Sequence, residues 1–485
     1  MINTNVCLEN GLSFRVLSDD QIAELIRAAV EILEKVGFKV LHAESRDLLK
    51  SAGARVSGDM VKVPQYIVRQ CLATAPKGWT IYDRNGERAL EVEGRKSYYG
   101  TSTASPNTKD ALTGEYHKTR VEDLALAARV ADALENIDWV MPMGSVQDVP
   151  SQAADLHEFV ATVSNTTKPI VFLSYSTRGM EIIFDMAAEI AGGSDRLRER
   201  PFLVAYPEPI TPLVMPDQVA GRILLAAERF LPQMMGPAVQ LGATGPVTIP
   251  AAVAQGTAES MMCVVLAQLK NPGCPVGLGC NFAAFDMANG LMSAGGPEMS
   301  LALAAQAQVA QSFDLPTWGL AGATDAKVQD AQAGAEATFH IMAQGLAGLN
   351  LIHDVGYMDG SMACAVEQLV LGDEIIGMAK RFLRGVSFSP EQIARDLLYQ
   401  VGPGGEFLSQ NHTMEHFREE LWRPSIFTRQ PMEAWKQAGE RDTLDRVREK
   451  IRHILDTHTP QPLPQSLVEK LEMMKADGES ELVTD

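Results

Sequence analysis

Apolar residues recur with two different periods along this chain, and the change falls near residue 96. Upstream, Ile22, Leu25, Ile26, Ala29, Ile32 and Leu33 share one face of a helix that Ser18-Asp19-Asp20 can N-cap. Further helical patterns cover 44–51 and 64–75, and Val61-Lys62-Val63 between them reads as a short strand. Downstream, short apolar runs alternate with segments of 3.6-residue period. Strands are expected at 97–103, 139–145, 170–175, 202–206, 238–241, 276–280, 317–321 and 349–354. Helices are expected between most of them, at 121–134, 179–191, 217–230, 251–269, 297–313 and 331–344. Strand–helix alternation on this scale predicts an α/β (β/α)8 TIM barrel, with an open doubly wound sheet as the alternative. No GxGxxG opens a helix after an early strand and no Walker A run occurs, which counts against nucleotide-binding folds. The expected organisation is an N-terminal helical cap (1–95), a barrel core (96–364) and a C-terminal helical extension (365–485). Within the extension, 402–405 is a Gly/Pro loop, 443–457 a charged amphipathic helix and 460–464 a Pro-rich connector, and 477–485 is expected to fray.

Composition narrows the partners. The 485 residues are 46% hydrophobic, enough for a large core, and carry a net charge of −19 with a pI near 5.0. Such a surface argues against nucleic acid and anionic membranes. The six cysteines are scattered without a CxxC pair, as expected of free thiols in a reducing cytoplasm. The first residues, MINTNVCLENG, lack the pattern of a signal peptide. No window reads as apolar enough to span a membrane. The 22 methionines are expected to serve as flexible core fillers.

In a barrel, the residues that end the strands converge on one mouth. They include Tyr98, Tyr99, Tyr206, Glu208, Gln240, Asn281, Phe282, Phe285, Asp286, Thr324, Asp325, Lys327, His353, Asp354 and Tyr357. Only 6% of the chain is aromatic, so aromatics at so many strand ends point to a site rather than to chance. Aromatic faces with a carboxylate suit a cation that cannot donate hydrogen bonds, such as a quaternary ammonium, although core packing accounts equally well for any single ring. His353 reads either as a structural histidine or as a partner for a substrate carboxylate. No HxH, HExxH or His/Cys cluster occurs, so no metal ligands are assigned.

Several segments together resemble the trimethylamine methyltransferase family of corrinoid-dependent methyltransferases. They are YGTSTASPNTKDALTGEYHKTRVEDL (99–124), ENIDWV (135–140), FDMANGLMSAGGPEMSL (285–301), AGATDAKVQDAQAGAEAT (321–338) and GLNLIHDVGYMDGSMACAVEQLVLGDEII (348–376). The resemblance covers nearly the whole chain. It implies a TIM barrel that passes a substrate methyl group to the cobalt(I) of a corrinoid (cobalamin-type) cofactor. That cofactor is carried by a separate cognate corrinoid protein docked over the strand C-termini, with no cofactor bound tightly to this chain. The founding trimethylamine enzymes place a pyrrolysine in the seventh-strand loop, in the run corresponding to about 322–325. This chain has Ala323 and Thr324 there, and no electrophile. It therefore resembles the pyrrolysine-lacking branch, which implies demethylation of a quaternary amine: glycine betaine to dimethylglycine first, with proline betaine or carnitine as alternatives.

The chemistry of the donor agrees with that implication. A quaternary nitrogen already carries the charge a tertiary amine must acquire, so the protein need supply no acid, base or nucleophile, only orientation in a dry pocket. Catalytic residues are accordingly none. Tyr98, Tyr99, Phe282, Phe285 and Tyr357 are expected to surround the ammonium, His353 to meet a carboxylate, and Thr324 and Asn281 to add hydrogen bonds. Glu208, Asp286, Glu298 and Asp325 are expected to support the site, and Gly100, Gly242 and Gly322 to let backbone approach the ligand. The helical tail suggests a homo-oligomer. Two competing readings are a non-catalytic betaine-binding barrel and a barrel lyase using Lys327 as a Schiff base.

Overall fold

From residue 98 onward, short apolar strands alternate with helices. The result, in a computed structural model that describes residues 12–484, is a closed parallel barrel. Its strands are β1 (Tyr98–Thr101), β2 (Trp139 and Val140), β3 (Ile170–Phe172), β4 (Leu203–Ala205), β5 (Gln233–Met235), β6 (Val276–Gly279), β7 (Thr317–Leu320) and β8 (Leu351–Val355). β8 pairs with β1, and β2 closes the ring through single bridges from Trp139 to Gly100 and from Val140 to Ile170. A helix follows every strand, from Val121–Ala133 after β1 to Val366–Leu383 after β8. The expected TIM-type fold is what the chain adopts.

Strand five differs from the expectation. The apolar run continues past Met235, but Gly236-Pro237 interrupts it, and proline has no N–H to continue a central ladder. The barrel therefore uses Gln233–Met235, paired with Val276–Leu278 of β6. Ala238–Leu241 leaves the barrel and pairs with Asn281–Asp286, which pairs in turn with Leu291–Ser293. This small sheet stands over one side of the barrel mouth. A second small sheet of Asn107–Lys109, Tyr116–Lys118, Tyr357–Met358 and Ala363–Ala365 stands over another.

The opposite end is sealed by a hairpin that the helical-cap expectation lacked, Gly78–Tyr82 with Arg88–Glu93. Its Ile81, Leu90 and Val92 are buried against Trp139, Val171, Val204, Met234, Trp318 and Leu351, which fill the barrel interior. Asn350, just before β8, donates its amide to the carbonyls of Glu93 (3.1 Å) and Lys96 (3.0 Å), tying hairpin to barrel. Upstream, Ser18 and Gln21 form a capping box for Asp19–Glu31, as the pattern predicts.

The helix Ile249–Lys270 corrects another expectation. It is long and apolar enough, by length and composition, to cross a membrane, yet 78% of its most apolar window is buried inside the protein. It packs against Gln65–Thr74, Asp217–Glu228 and Pro297–Gln311, so its all-round apolarity is that of a core helix.

Of the segment expected to fray, residues 477–484 are helical and residue 485 lies outside the described residues. Gln465–Thr484 is one helix laid on Ala154–Ser164 and Thr177–Ala191. Gly478 lies so close to Leu156 and Ile182 that a Cβ there would meet both at 2.9 Å. Glu479 pairs with His157 and Glu481 with Arg178, each at 2.7 Å. The short helices Pro390–Ile393, Arg395–Val401, Asn411–Glu420 and Met432–Gln437 bury no residue, and Tyr399 and Leu408 are largely exposed.

Candidate functional site

A cavity of about 190 Å³ opens at the C-terminal ends of the strands. Tyr206, Phe282, Leu320 and Tyr357 give it apolar walls, Met292 reaches it from the small mouth sheet and Met299 from the helix Pro297–Gln311, and Glu208, Asn281, His353 and Asp354 bring polar atoms. Among the described residues, no lysine or arginine lines it.

The floor is an aromatic stack built by strand alternation. Tyr206 follows β4, Trp318 lies in β7 and His353 in β8. Tyr206 stacks on Trp318 with ring centroids 4.8 Å apart, and Trp318 lies 4.4 Å from the His353 ring. Trp139 from β2 continues the stack beneath Trp318 at 5.5 Å. Gly236 makes the stack possible, because a Cβ there would meet the Tyr206 ring at 2.2 Å.

Asn281 ties this floor to Glu208. Its Oδ1 accepts from Trp318 Nε1 at 3.1 Å. Its Nδ2 donates to the Tyr206 hydroxyl and to Glu208 Oε1, the latter at 3.3 Å. Burial pushes the Glu208 carboxyl above its ordinary pKa, opposed by His353 and Asn281. Burial likewise pushes the Tyr206 and Tyr357 phenols well above theirs, so both stay neutral.

His353 and Asp354 are nearly inaccessible to solvent and incompletely partnered. His353 Nδ1 lies 2.7 Å from Asp354 Oδ1, but off the hydrogen-bonding direction. Both ring nitrogens and that carboxylate oxygen therefore lack a hydrogen-bond partner among the described residues. Asp354 also holds φ at +83°, where β8 shifts register against β1 between Ile352 and Val355. Strained, unpartnered polar groups of this kind collect where a ligand completes them.

The structure brings Phe282, Tyr357, His353, Asn281 and Glu208 together and sends the other expected residues elsewhere. Tyr98 and Tyr99 begin β1 rather than end it. The Tyr98 hydroxyl accepts from Glu91 N (3.2 Å) in the sealing hairpin, and the fully buried Tyr99 donates to Ile341 O (3.1 Å) outside the barrel wall. Phe285 lies in the small mouth sheet opposite Met292, beyond the cavity lining. Asp286 sits in the hairpin turn, where the Ala288 amide holds its carboxyl below the usual range.

Thr324 is buried and donates to Glu336 Oε2 (2.5 Å), facing away from the cavity. Asp325 accepts from Ser293 and from Ala294 N (2.8 Å), pinning the loop after β6. Glu298 is exposed in the first turn of Pro297–Gln311. The three glycines serve internal packing. A Cβ on Gly100 would enter the Trp139 ring, one on Gly242 would meet Met287, and Gly322, at φ +84°, lies against the Val355 backbone. Lys327 is 70% exposed and pairs with Asp359 at 3.1 Å, which removes it from the cavity and from a Schiff-base role.

Sequence reasoning missed Thr103 and Ser361, whose loops only the fold folds back over the mouth. It also missed a buried network beside the barrel. Asp155 Oδ2 accepts from Ser174 (2.6 Å), and Tyr175 donates to Glu158 (3.0 Å). Burial pushes the Glu158 carboxyl up to about 8. The signal was present as two acids three apart on a largely buried helix, Ala154–Ser164.

Comparison with known proteins places this chain among methyltransferases. The family model for trimethylamine methyltransferase matches residues 4–481. A trimethylamine methyltransferase of Desulfitobacterium hafniense is 30% identical, covering 99% of this chain and 97% of its own. A glycine betaine methyltransferase from another strain of that species is 29% identical over 97% and 98%. Among solved structures, the monomethylamine methyltransferase of Methanosarcina barkeri superposes with a TM-score of 0.50, covering 97% of this chain and 88% of that one at 12% identity, a likeness of fold.

Proposed function

The chain belongs to the trimethylamine methyltransferase family and is a one-carbon transferase, and on that premise we propose that it moves a methyl group from a quaternary amine to the cobalt(I) of a corrinoid carried by a partner protein. The observation that carries this reading is the cavity itself. Tyr206, Phe282 and Tyr357 present aromatic walls beside Glu208, and among the described residues no lysine or arginine lines the cavity with them. A quaternary ammonium is held by such faces without needing a hydrogen-bond acceptor, at up to about 2 kcal/mol for each desolvated contact.

The residues at the mouth fit a corrinoid brought from outside. The cavity opens beside the small sheet, whose Met287 and Leu291 are exposed, with Val247 exposed nearby. When bound, a cobalt(I) corrinoid supplies the nucleophilic electron pair. The protein's own part is to hold one N-methyl group toward the opening, exclude water behind it with Leu320, Met292 and Met299, and stabilise the positive charge until the C–N electron pair leaves with the neutral amine. Ala323 and Thr324 are buried and away from the cavity, which leaves the seventh-strand loop without a group that could activate a neutral amine. Within the quaternary class, glycine betaine is the donor the resemblance implies, and one relative bears its name.

The test mixes the protein, cob(I)alamin or a cobalt(I) corrinoid protein, and single quaternary amines, and follows the cobalt absorption spectrum. Methyl-cobalt is expected with at least one of them. Unchanged cobalt(I) spectra with every quaternary amine would overturn the reading.

A further inference from the structure

The charges facing the cavity say more about the donor than its aromatic walls do. Two carboxylates line it, Glu208 and Asp354, and among the described residues His353 is its one lining group able to carry positive charge. With both carboxylates ionised, the lining stays net negative even beside a protonated imidazole. The oxygen of Asp354 that lacks a hydrogen bond is 5% or less exposed with its residue, so little water screens it.

A donor that is a simple cation neutralises this lining. A zwitterionic donor leaves it negative and, in a cavity of about 190 Å³, brings its own carboxylate close to one already there. The neutral hydrogen-bonding groups at the wall, Thr103, Gln240 and Ser361, are suited to a hydroxyl. Resting on the methyl-transfer reading, we infer that the donor is a quaternary ammonium without a carboxylate, of the choline or tetramethylammonium kind.

Glu208 sharpens the distinction. Burial raises its pKa in the free protein. A neighbouring ammonium favours the charged carboxylate, whereas a second carboxylate opposes it. Cation binding therefore releases protons from the site, and zwitterion binding does so less. The groups facing Glu208 are His353, Asn281, Arg222, Asp354 and Tyr206, none of them a second cation within the cavity lining.

Calorimetric titration of the whole protein with choline, tetramethylammonium and glycine betaine, paired with methyl transfer to cob(I)alamin, tests the inference. Choline or tetramethylammonium should bind at least about tenfold tighter than glycine betaine and should methylate cobalt. Asp354→Asn, which asparagine tolerates at positive φ, should narrow that ratio several-fold while choline binding confirms a folded site. Glycine betaine binding as tightly as choline would overturn the inference, and methyl transfer from it would leave the methyltransferase reading standing. Binding without methyl-cobalt from any of the three, or no binding at all, would overturn the inference, and the methyltransferase reading would fall with it only if proline betaine and carnitine also left cobalt(I) unchanged.

Discussion

At the scale of single residues, the site is one aromatic stack with a carboxylate attached to it. Tyr206 matters for its face and for its hydroxyl, which accepts from Asn281. Replacing it separates the two. Tyr206→Phe keeps the stack on Trp318 and leaves Asn281 bonded to Glu208 and Gly236, so the Kd of the quaternary amine should rise less than about threefold. Tyr206→Ala removes the face, and the Kd should rise roughly tenfold or more, in keeping with a desolvated cation–π contact. Equal effects in a binding titration would show that the ring is not a wall for the cation. Tyr99 illustrates the opposite case. Its place in the YGTS run reads as a mouth residue, yet it faces outward at the start of β1 because alternate strand residues point to opposite sides.

At the scale of elements, the two ends of the barrel carry different loads. The sealing hairpin buries Ile81 fully in the barrel interior, far from the cavity lining. Ile81→Ala should lower unfolding free energy by about 2–5 kcal/mol through lost burial and an unfilled void. The Kd for substrate should stay unchanged in the surviving folded protein. Denaturant melts and a binding titration on the same preparation check both halves, and a large loss of affinity would join the hairpin to the site. The hairpin escaped sequence reasoning because Gly78–Tyr82 and Arg88–Glu93 show only partial alternation and depend on the barrel for their apolar partner. Strand five slipped for a local reason, since Gly236-Pro237 divides one apolar run into a barrel strand and a mouth strand.

At the scale of the whole molecule, buried acids couple stability to pH. Glu158, 3% exposed, has its carboxyl pushed up to about 8 by burial, from an ordinary 4.5. The folded state therefore binds this proton more tightly than the unfolded chain. Its stabilisation is complete below about pH 4.5 and is lost as pH rises toward 8. Stability should decline through that window with a contribution of up to about 1.4 kcal/mol per pH unit from this group. Glu158→Gln should flatten the dependence of Tm on pH between 5 and 8, and an unaltered slope would remove Glu158 from the account. Asp155 and Asp138, also raised by burial, act in the same direction.

The sequence by itself determined the alternation of strands and helices, the cap at Ser18, and which segments could supply the mouth. Periodicity and capping chemistry act within a few residues, so they are legible one segment at a time. The tertiary structure alone decided which face each strand residue took. It brought Tyr206, Trp318 and His353 from three strands into one stack, and turned Thr324, Asp325 and Lys327 away from the cavity. Those outcomes depend on register, barrel closure and the packing of one loop on another, and no local pattern encodes such long-range pairings.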